Sequence, residues 1–422
     1  MGSQPTHDVR DLSLSTAGRA AIEWADSEMP VLRQIRARFE AEQPLAGHRV
    51  AAGLHITTST ANLIRTIKAG GAEVMLAASN ILTTQDEVAA ALVAEYGIAT
   101  YGQRGESRDL YVKHLNAILD FGPTLIMDDA AEVSHRLLTE HPDRVASVIG
   151  GTEQTTTGVK RFKAMDDAGV LPYPVVAIND TPTKRLFDNR FGTGQSVLDG
   201  IIRATNILLA GKTVVVVGYG HCGKGIASRA RGLGAEVIVT EVDPINALEA
   251  TMEGYSVTSM GKAAPLGDIF VCATGNVSAI DAEHIAVMRD NALLSNAGHF
   301  DVEVNIAALV EASVSWRRIR PHVEEFTLTD GRKLHLLAEG RVVNLVAAEG
   351  HPSGVMDLSF SGMALAVEWL ATQGESLARG VHELPTALDR QVASLKLAYM
   401  GCDIDQLTRR QTSYLNSYEE GA

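Results

Sequence analysis

The sequence predicts an α/β chain of two doubly wound parallel-sheet domains, and three observations carry that prediction. Short β-forming runs alternate with helical stretches from His48 onward, a second series of the same kind starts at Lys212, and 422 residues exceed what one ordinary core serves. Hydrophobic residues are 45% and charged residues 21% of the chain, the mixture of a folded globular protein and not of a disordered one.

In the first series the strand candidates are 49–54, 73–78, 98–101, 124–127, 145–149 and 174–178. Between them, segments such as 58–69 and 85–95 repeat apolar residues at spacings of three and four, which places those residues on one helix face. The second series holds strands at 213–217, 236–240, 268–272 and 291–295. Residues 326–337 read as a hairpin, Asp330-Gly331 supplying the positive φ angles of a tight two-residue turn. After Pro352 the pattern returns to helix, over 358–372 and 388–400. No fixed-period repeat or low-complexity linker is visible, so the domain joints are placed by motif, near Thr193 and Ala348.

A net charge of −14 without a basic stripe argues against a nucleic-acid partner. Cys222, Cys272 and Cys402 follow no metal-ligand or disulfide spacing, so no metal site is expected, and they suit a reducing cytoplasm as small buried hydrophobes. The apolar runs are too short to span a bilayer, so no membrane partner is expected. Met1-Gly2 with Thr6 matches an acylation pattern formally, but without a basic cluster it reads as coincidence.

Gly218-Tyr-Gly220-His-Cys-Gly223 follows the valine run and opens a helix over 224–233. The first glycine permits a tight turn, the second lets backbone approach a pyrophosphate, and the third lets helix pack on strand, with His221 and Cys222 inside the loop. A helix N-terminus then faces the phosphate charge. Glu241 closes the next strand, where a carboxylate accepts from the adenosine ribose and repels a 2′-phosphate, so NAD+ and not NADP is the expected cofactor of a Rossmann domain. Asp243 is the competing ribose ligand. Asn246 and Asn276 are further expected cofactor contacts.

Other polar clusters sit at predicted strand ends, where α/β sheets build their sites: His55 and Thr57, Asn80 with Gln85, Asp128-Asp129, Gln154 to Thr157, Asn179-Asp180, Lys184 to Asn189, Asn296 to Asp301, and His351. Each alone could be a cap or turn. Lys184 and Asp188, four apart, share a face if their segment is helical; beside a nicotinamide such a pair could relay the proton of a hydroxyl being oxidised. Asp128 reads as a cap for the next helix and Asp129 as the candidate general base.

These clusters, in this order and over nearly the whole chain, resemble the S-adenosylhomocysteine hydrolase family; the most specific stretches are Thr155-Thr-Thr-Gly158, Lys184 to Asn189, Thr240-Glu-Val-Asp-Pro244, Gly298-His-Phe-Asp301 and Gly350-His-Pro-Ser353. The resemblance implies that bound NAD+ oxidises the 3′-hydroxyl of an adenine nucleoside, which acidifies C4′ and lets a group leave or add at C5′. It implies that Lys184 and Asp188 handle the 3′-hydroxyl proton, Asp129 takes the C4′ hydrogen, and His55 with His299 serve C5′. Thr57, Ser59, Gln85, Gln154, Asn179, Asn189, His351 and Met356 are then expected around the substrate, and Thr155, Thr156, Thr157, Asn296 and Asn344 around the nicotinamide. The family's substrate domain is discontinuous, which assigns it 1–192 and 349–395, the NAD-binding domain 193–348, and a C-terminal segment 396–422. A homodimer or homotetramer is expected.

The chain also departs from the family. Glu153-Gln154 stands where two glutamates are usual, Ser59 where a residue able to pair with the adenine amino group is common, and Ala130-Ala131 where glycines are usual. The chain ends Tyr418-Glu-Glu-Gly-Ala422, without the usual lysine and tyrosine tail. Gln154 and Ser59 lean the expectation toward a lyase-like paralogue that dehydrates or hydrates a 5′-hydroxy nucleoside, a step of the kind used in antibiotic biosynthesis. The alternative is reversible hydrolysis of S-adenosylhomocysteine or its inosyl analogue; a simple hydroxy-acid dehydrogenase is the distant one, since it leaves Thr155 to Gly158 and Lys184 to Asn189 unexplained.

Overall fold

A computed structural model describes residues 7–418. Residues 1–6 and 419–422, and with them the Gly2/Thr6 pattern and the end of the tail, lie outside the described residues. Seven strands come first: β1 (Asp8–Val9), β2 (Arg49–Leu54), β3 (Glu73–Ala78), β4 (Ala99–Gly102), β5 (Leu125–Asp128), β6 (Gly150–Glu153) and β7 (Pro174–Ala177). The second group is β8 (Thr213–Val217), β9 (Glu236–Thr240), β10 (Ser256–Val257), β11 (Ile269–Cys272), β12 (Ala292–Asn296), β13 (Ser313–Arg320), β14 (Val323–Leu328) and β15 (Lys333–Leu337). The chain then returns to the first sheet with β16 (Gly380–His382).

Two eight-stranded sheets result, ordered β1-β4-β3-β2-β5-β6-β7-β16 and β10-β9-β8-β11-β12-β15-β14-β13. The first is parallel throughout, and the second is parallel except for the antiparallel pairs β13–β14 and β14–β15. Side chains of successive strand residues point to opposite faces, and both faces are filled. Val50, Ala52 and Leu54 enter one apolar cluster and Ala51 the cluster on the other side. Val214 and Val216 face one layer of the second sheet, Val215 and Val217 the other. This is the doubly wound architecture the alternation predicts.

The order switches direction between β2 and β5 in the first sheet and between β8 and β11 in the second. Such reversals leave a crevice beyond the carboxyl ends of the strands. His55 and Asp129 follow β2 and β5 at the first reversal; Gly218 and Ala273 follow β8 and β11 at the second.

Two expectations are corrected. Residues 142–147 are a 3-10 turn begun by Pro142, and the strand expected at 145–149 lies at Gly150–Glu153. Its glycines carry no β signal, but a Cβ on Gly150 would stand 2.8 Å from Leu370 Cδ2, so a neighbouring helix requires the small residue. In the 326–337 hairpin only Gly331 has positive φ, +90°. Gly331 N–H donates to the Leu328 carbonyl and Leu328 N–H to that of Arg332, which gives a three-residue loop with a left-handed glycine instead of the two-residue turn. β13, missed in the sequence, is an edge strand rich in arginine and exposed along nearly its whole length.

Candidate active site

Lys184–Gly192 forms a π-helix between β7 and helix Thr193–Thr205. This wide turn brings residues five apart together. The Lys184 ammonium donates to Asn189 Oδ1 at 2.6 Å and to Asn179 Oδ1 at 3.3 Å, and stands 3.2 Å from Asp188 Oδ1. Asn189 Nδ2 also donates to Asn179 Oδ1, at 3.0 Å. Burial pushes the Asp188 carboxyl up, but Lys184, His351 and a 2.7 Å bond from Ser359 outweigh it and hold the group below the ordinary range. His351 Nε2 lies 3.8 Å from Asp188 Oδ1 and 3.0 Å from Thr193 Oγ1.

Asp129 sits between two imidazoles, with His55 Nε2 at 3.3 Å from one carboxylate oxygen and His299 Nδ1 at 3.5 Å from the other. His55 Nδ1 meets Thr83 Oγ1 at 2.8 Å, which fixes the ring's orientation. Burial drives the His55 pKa down to about 4 against the pull of Asp129, so the ring is neutral at neutral pH. Asp128, by contrast, accepts from Val133 N–H and Ser134 N–H, the expected cap of helix Glu132–Glu140.

Both clusters open into one cavity of about 970 Å³, lined also by the glycine-rich turn. Thr57, Ser59, Gln154, Asn179, Asn189, His351 and Met356 line it, as do Thr155, Thr156, Thr157, Asn246, Asn276 and Asn344. Gln154 Oε1 and Asn344 Oδ1 are buried without a hydrogen-bond partner, acceptors available to a ligand. Several of these side chains are already engaged: Ser59 Oγ bonds Ser353 Oγ at 3.0 Å, Thr57 caps helix Thr58–Ala69, and the Thr155 hydroxyl caps helix Thr156–Asp167.

Three expected residues do not line the cavity. Gln85 precedes helix Asp86–Ala94, where its backbone N–H bonds the Ile56 carbonyl. Gly223 packs inward, where a Cβ would come 2.0 Å from the Gly218 oxygen. Asn296 is fully buried and its amide ties the carbonyls of Gly298, Phe300 and Gly340, so it shapes the His299 loop from behind. Thr193, Ser359 and Thr274 were missed. Thr193 lies four residues after the end of the Lys184 to Asn189 run, a signal that could have found it.

The cofactor end fits a dinucleotide. Gly218 has φ of +97°, a Cβ on Gly220 would meet nothing within 4 Å, and helix His221–Gly232 begins at the cavity wall. Glu241 lines the cavity and accepts from Tyr219 N–H at 2.6 Å, while Asp243, the competing ribose ligand, spends its carboxylate on Ile245 N–H and Asn246 N–H as a helix cap.

Among the described residues no helix is long and apolar enough to cross a membrane. Two family models match, S-adenosyl-L-homocysteine hydrolase over residues 6–143 and its NAD binding domain over 189–350. A protein of Thermosynechococcus vestitus named Adenosylhomocysteinase is 55% identical, covering 98% of this chain and 97% of its own. Adenosylhomocysteinases of Aquifex aeolicus, at 55%, and Saccharolobus solfataricus, at 53%, match over 98% and 99% of the chain and 99% and 100% of theirs. The cofactor is NAD. With a glycine-rich dinucleotide turn, a lysine–carboxylate cluster and a carboxylate between two histidines around one cavity, and full-length relatives at this identity, the chain belongs to the S-adenosyl-L-homocysteine hydrolase family.

Proposed function

We propose that this chain catalyses the reversible hydrolysis of S-adenosyl-L-homocysteine to adenosine and homocysteine. The observation that carries the reading is that the Lys184 cluster, the Asp129 carboxylate and the glycine-rich turn border one cavity. The hydride acceptor and donor needed at C3′ of the sugar would be supplied by bound NAD+. Gly218, Gly220 and Glu241 would hold it, with Thr156, Thr157, Asn276 and Asn344 nearer the nicotinamide.

The chain's own residues do the proton work. Lys184, which donates to Asn179 and Asn189, holds the 3′-hydroxyl and relays its proton with Asp188: the ammonium gives a proton to the Asp188 carboxylate 3.2 Å away and, as the free amine, takes that of the hydroxyl. Asp129 removes the hydrogen on C4′ once the neighbouring carbonyl has acidified it. His55 and His299, on either side of Asp129, serve the C5′ substituent and the attacking water; a neutral His55 accepts a proton from water. Gln154 offers its free carbonyl to the sugar hydroxyls. His351 and Met356 line the adenine side. Residues 1–192 with 349–395 act as the substrate lobe and 193–348 as the cofactor lobe, and closing them keeps bulk water from the ketone.

Dehydration or hydration of a 5′-hydroxy nucleoside, toward which Gln154 and Ser59 leaned, finds no support among the relatives, which carry the hydrolase name. The deciding experiment incubates the NAD-loaded protein with S-adenosylhomocysteine and, in parallel, with 5′-hydroxy nucleosides, and identifies products by mass spectrometry. Adenosine and homocysteine are expected from the first. Turnover of the nucleosides alone, with S-adenosylhomocysteine untouched, overturns the assignment.

A further inference from the structure

Asp129 is followed by two alanines in the left-handed backbone region, Ala130 with φ of +63° and Ala131 with φ of +58°. For residues bearing a Cβ this conformation costs roughly 1–2 kcal/mol each, so something must hold it. The holder is on the neighbouring strand. Glu153, the last residue of β6 and fully buried, accepts from Ala130 N–H at 3.1 Å through one carboxylate oxygen and from Ala131 N–H at 2.9 Å through the other. The first oxygen also accepts from Thr155 N–H at 2.6 Å and the Thr155 hydroxyl at 2.8 Å. Burial beside Asp128 and Asp129 pushes the pKa of this group well up, against the pull of the Thr155 donors. Gly158 makes room for it, since a Cβ there would stand 2.1 Å from Glu153 Cδ.

Successive N–H groups converging on one carboxylate form a small anion-binding concavity, here filled by the chain itself. The two residues so held are the ones that turn the chain between Asp129, whose carboxylate faces His55 and His299, and helix Glu132–Glu140, which Asp128 caps. We propose that Glu153 is a positioning residue: its buried carboxylate clamps the Ala130-Ala131 turn and thereby holds Asp129 against C4′, without itself touching substrate. This rests on the C4′ role proposed for Asp129. Glu153 would act on the hydrogen abstraction and not on the oxidation at C3′, which depends on the separate Lys184 cluster.

The test uses the full NAD-loaded chain and two variants. Glu153→Gln puts an amide NH2 against backbone donors, and Gly158→Ala crowds the carboxylate from the other side, so one remains informative if the other fails to fold. Backbone amide exchange of peptides covering 129–134, read by mass spectrometry, is expected to quicken about tenfold. Exchange of the adenosine C4′ hydrogen with heavy water is expected to fall about 10- to 100-fold, while reduction of the bound cofactor by adenosine stays within about threefold of the parent. Unchanged amide exchange in both variants overturns the clamp. An equal fall in both reactions also overturns it, because a general loss of folded protein does the same. If the parent itself neither reduces its cofactor nor exchanges C4′, the functional reading fails, and the amide measurement still decides whether Glu153 holds the turn.

Discussion

The ammonium of Lys184 donates at 2.6 Å to the side-chain amide oxygen of Asn189, five residues further along the same π-helix. Helical spacing in the sequence pairs Lys184 with Asp188, and the structure keeps that pair at 3.2 Å while the wider turn adds Asn189 as a second partner. Hydrogen bonds to a charged group are worth about 1.5–3 kcal/mol. Replacing Asn189 with alanine should therefore slow oxidation of the sugar about 10- to 100-fold. Single-turnover absorbance of the reduced nicotinamide reads this rate. An unchanged rate removes Asn189 from the proton-handling cluster.

A second prediction concerns how the π-helix is held against the cofactor-binding helix. A Cβ on Gly225 would stand 1.8 Å from the Arg190 carbonyl oxygen, backbone against backbone, so neither side yields cheaply. Gly225→Ala should cost about 1–3 kcal/mol and weaken NAD retention together with it. Gly232 ends the same helix and meets nothing within 4 Å. Gly232→Ala should be neutral or stabilise by up to about 1 kcal/mol through helix propensity. Urea denaturation of the two variants side by side checks the contrast; equal effects would mean the close crossing carries no strain.

The fold was legible where β-branched runs alternate with amphipathic helix. Arg49–Leu54, Glu73–Ala78 and Glu236–Thr240 form strands with the expected bounds. Gly150–Glu153 was not legible, because Gly150 is set by the packing of Leu370 and not by local propensity. The two-residue strands β1 and β10 are shorter than any periodicity reveals. In the site, polar residues at strand ends were visible as clusters. The Glu153 clamp was not: the glycines usual in place of Ala130 and Ala131 hint at a positive-φ turn, but nothing in the pattern shows that a buried acid on the adjacent strand answers it. Gln85 and Asn296 looked like ligand contacts because sequence position does not tell the wall of a cavity from the layer behind it.

Acid stability should carry the signature of His55. Burial lowers its folded pKa to about 4, below the ordinary 6.5 of a histidine. Between those values the unfolded chain binds a proton that the folded chain refuses, so stability falls as pH drops from 6.5 toward 4 and is unaffected by this group above it. The full effect is on the order of 3 kcal/mol. His55→Asn should flatten that part of the profile, measured as urea midpoints at several pH values. If the variant loses stability on acidification as steeply as the parent, another group is responsible.

Cofactor choice should turn on Glu241. One of its oxygens accepts from Val242 N–H at 2.6 Å and Asp243 N–H at 3.0 Å, the other accepts from Tyr219 N–H at 2.6 Å, and the residue lines the cavity. The carboxylate thus ties the glycine-rich turn to the end of β9 and presents a fixed negative charge where a ribose 2′-hydroxyl would donate and a 2′-phosphate would be repelled. Glu241→Gln removes the charge and sets an NH2 group against one of these backbone donors. NAD binding should weaken roughly tenfold or more, both through the lost ribose acceptor and through a looser turn, while NADP binding weakens less or improves. The preference for NAD over NADP should therefore narrow by at least about tenfold. Calorimetric titration of each nucleotide into the cofactor-stripped protein gives the ratio directly. A ratio equal to that of the parent would show that the discrimination lies elsewhere in the adenosine pocket, and Glu241 would be left with its turn-holding role alone.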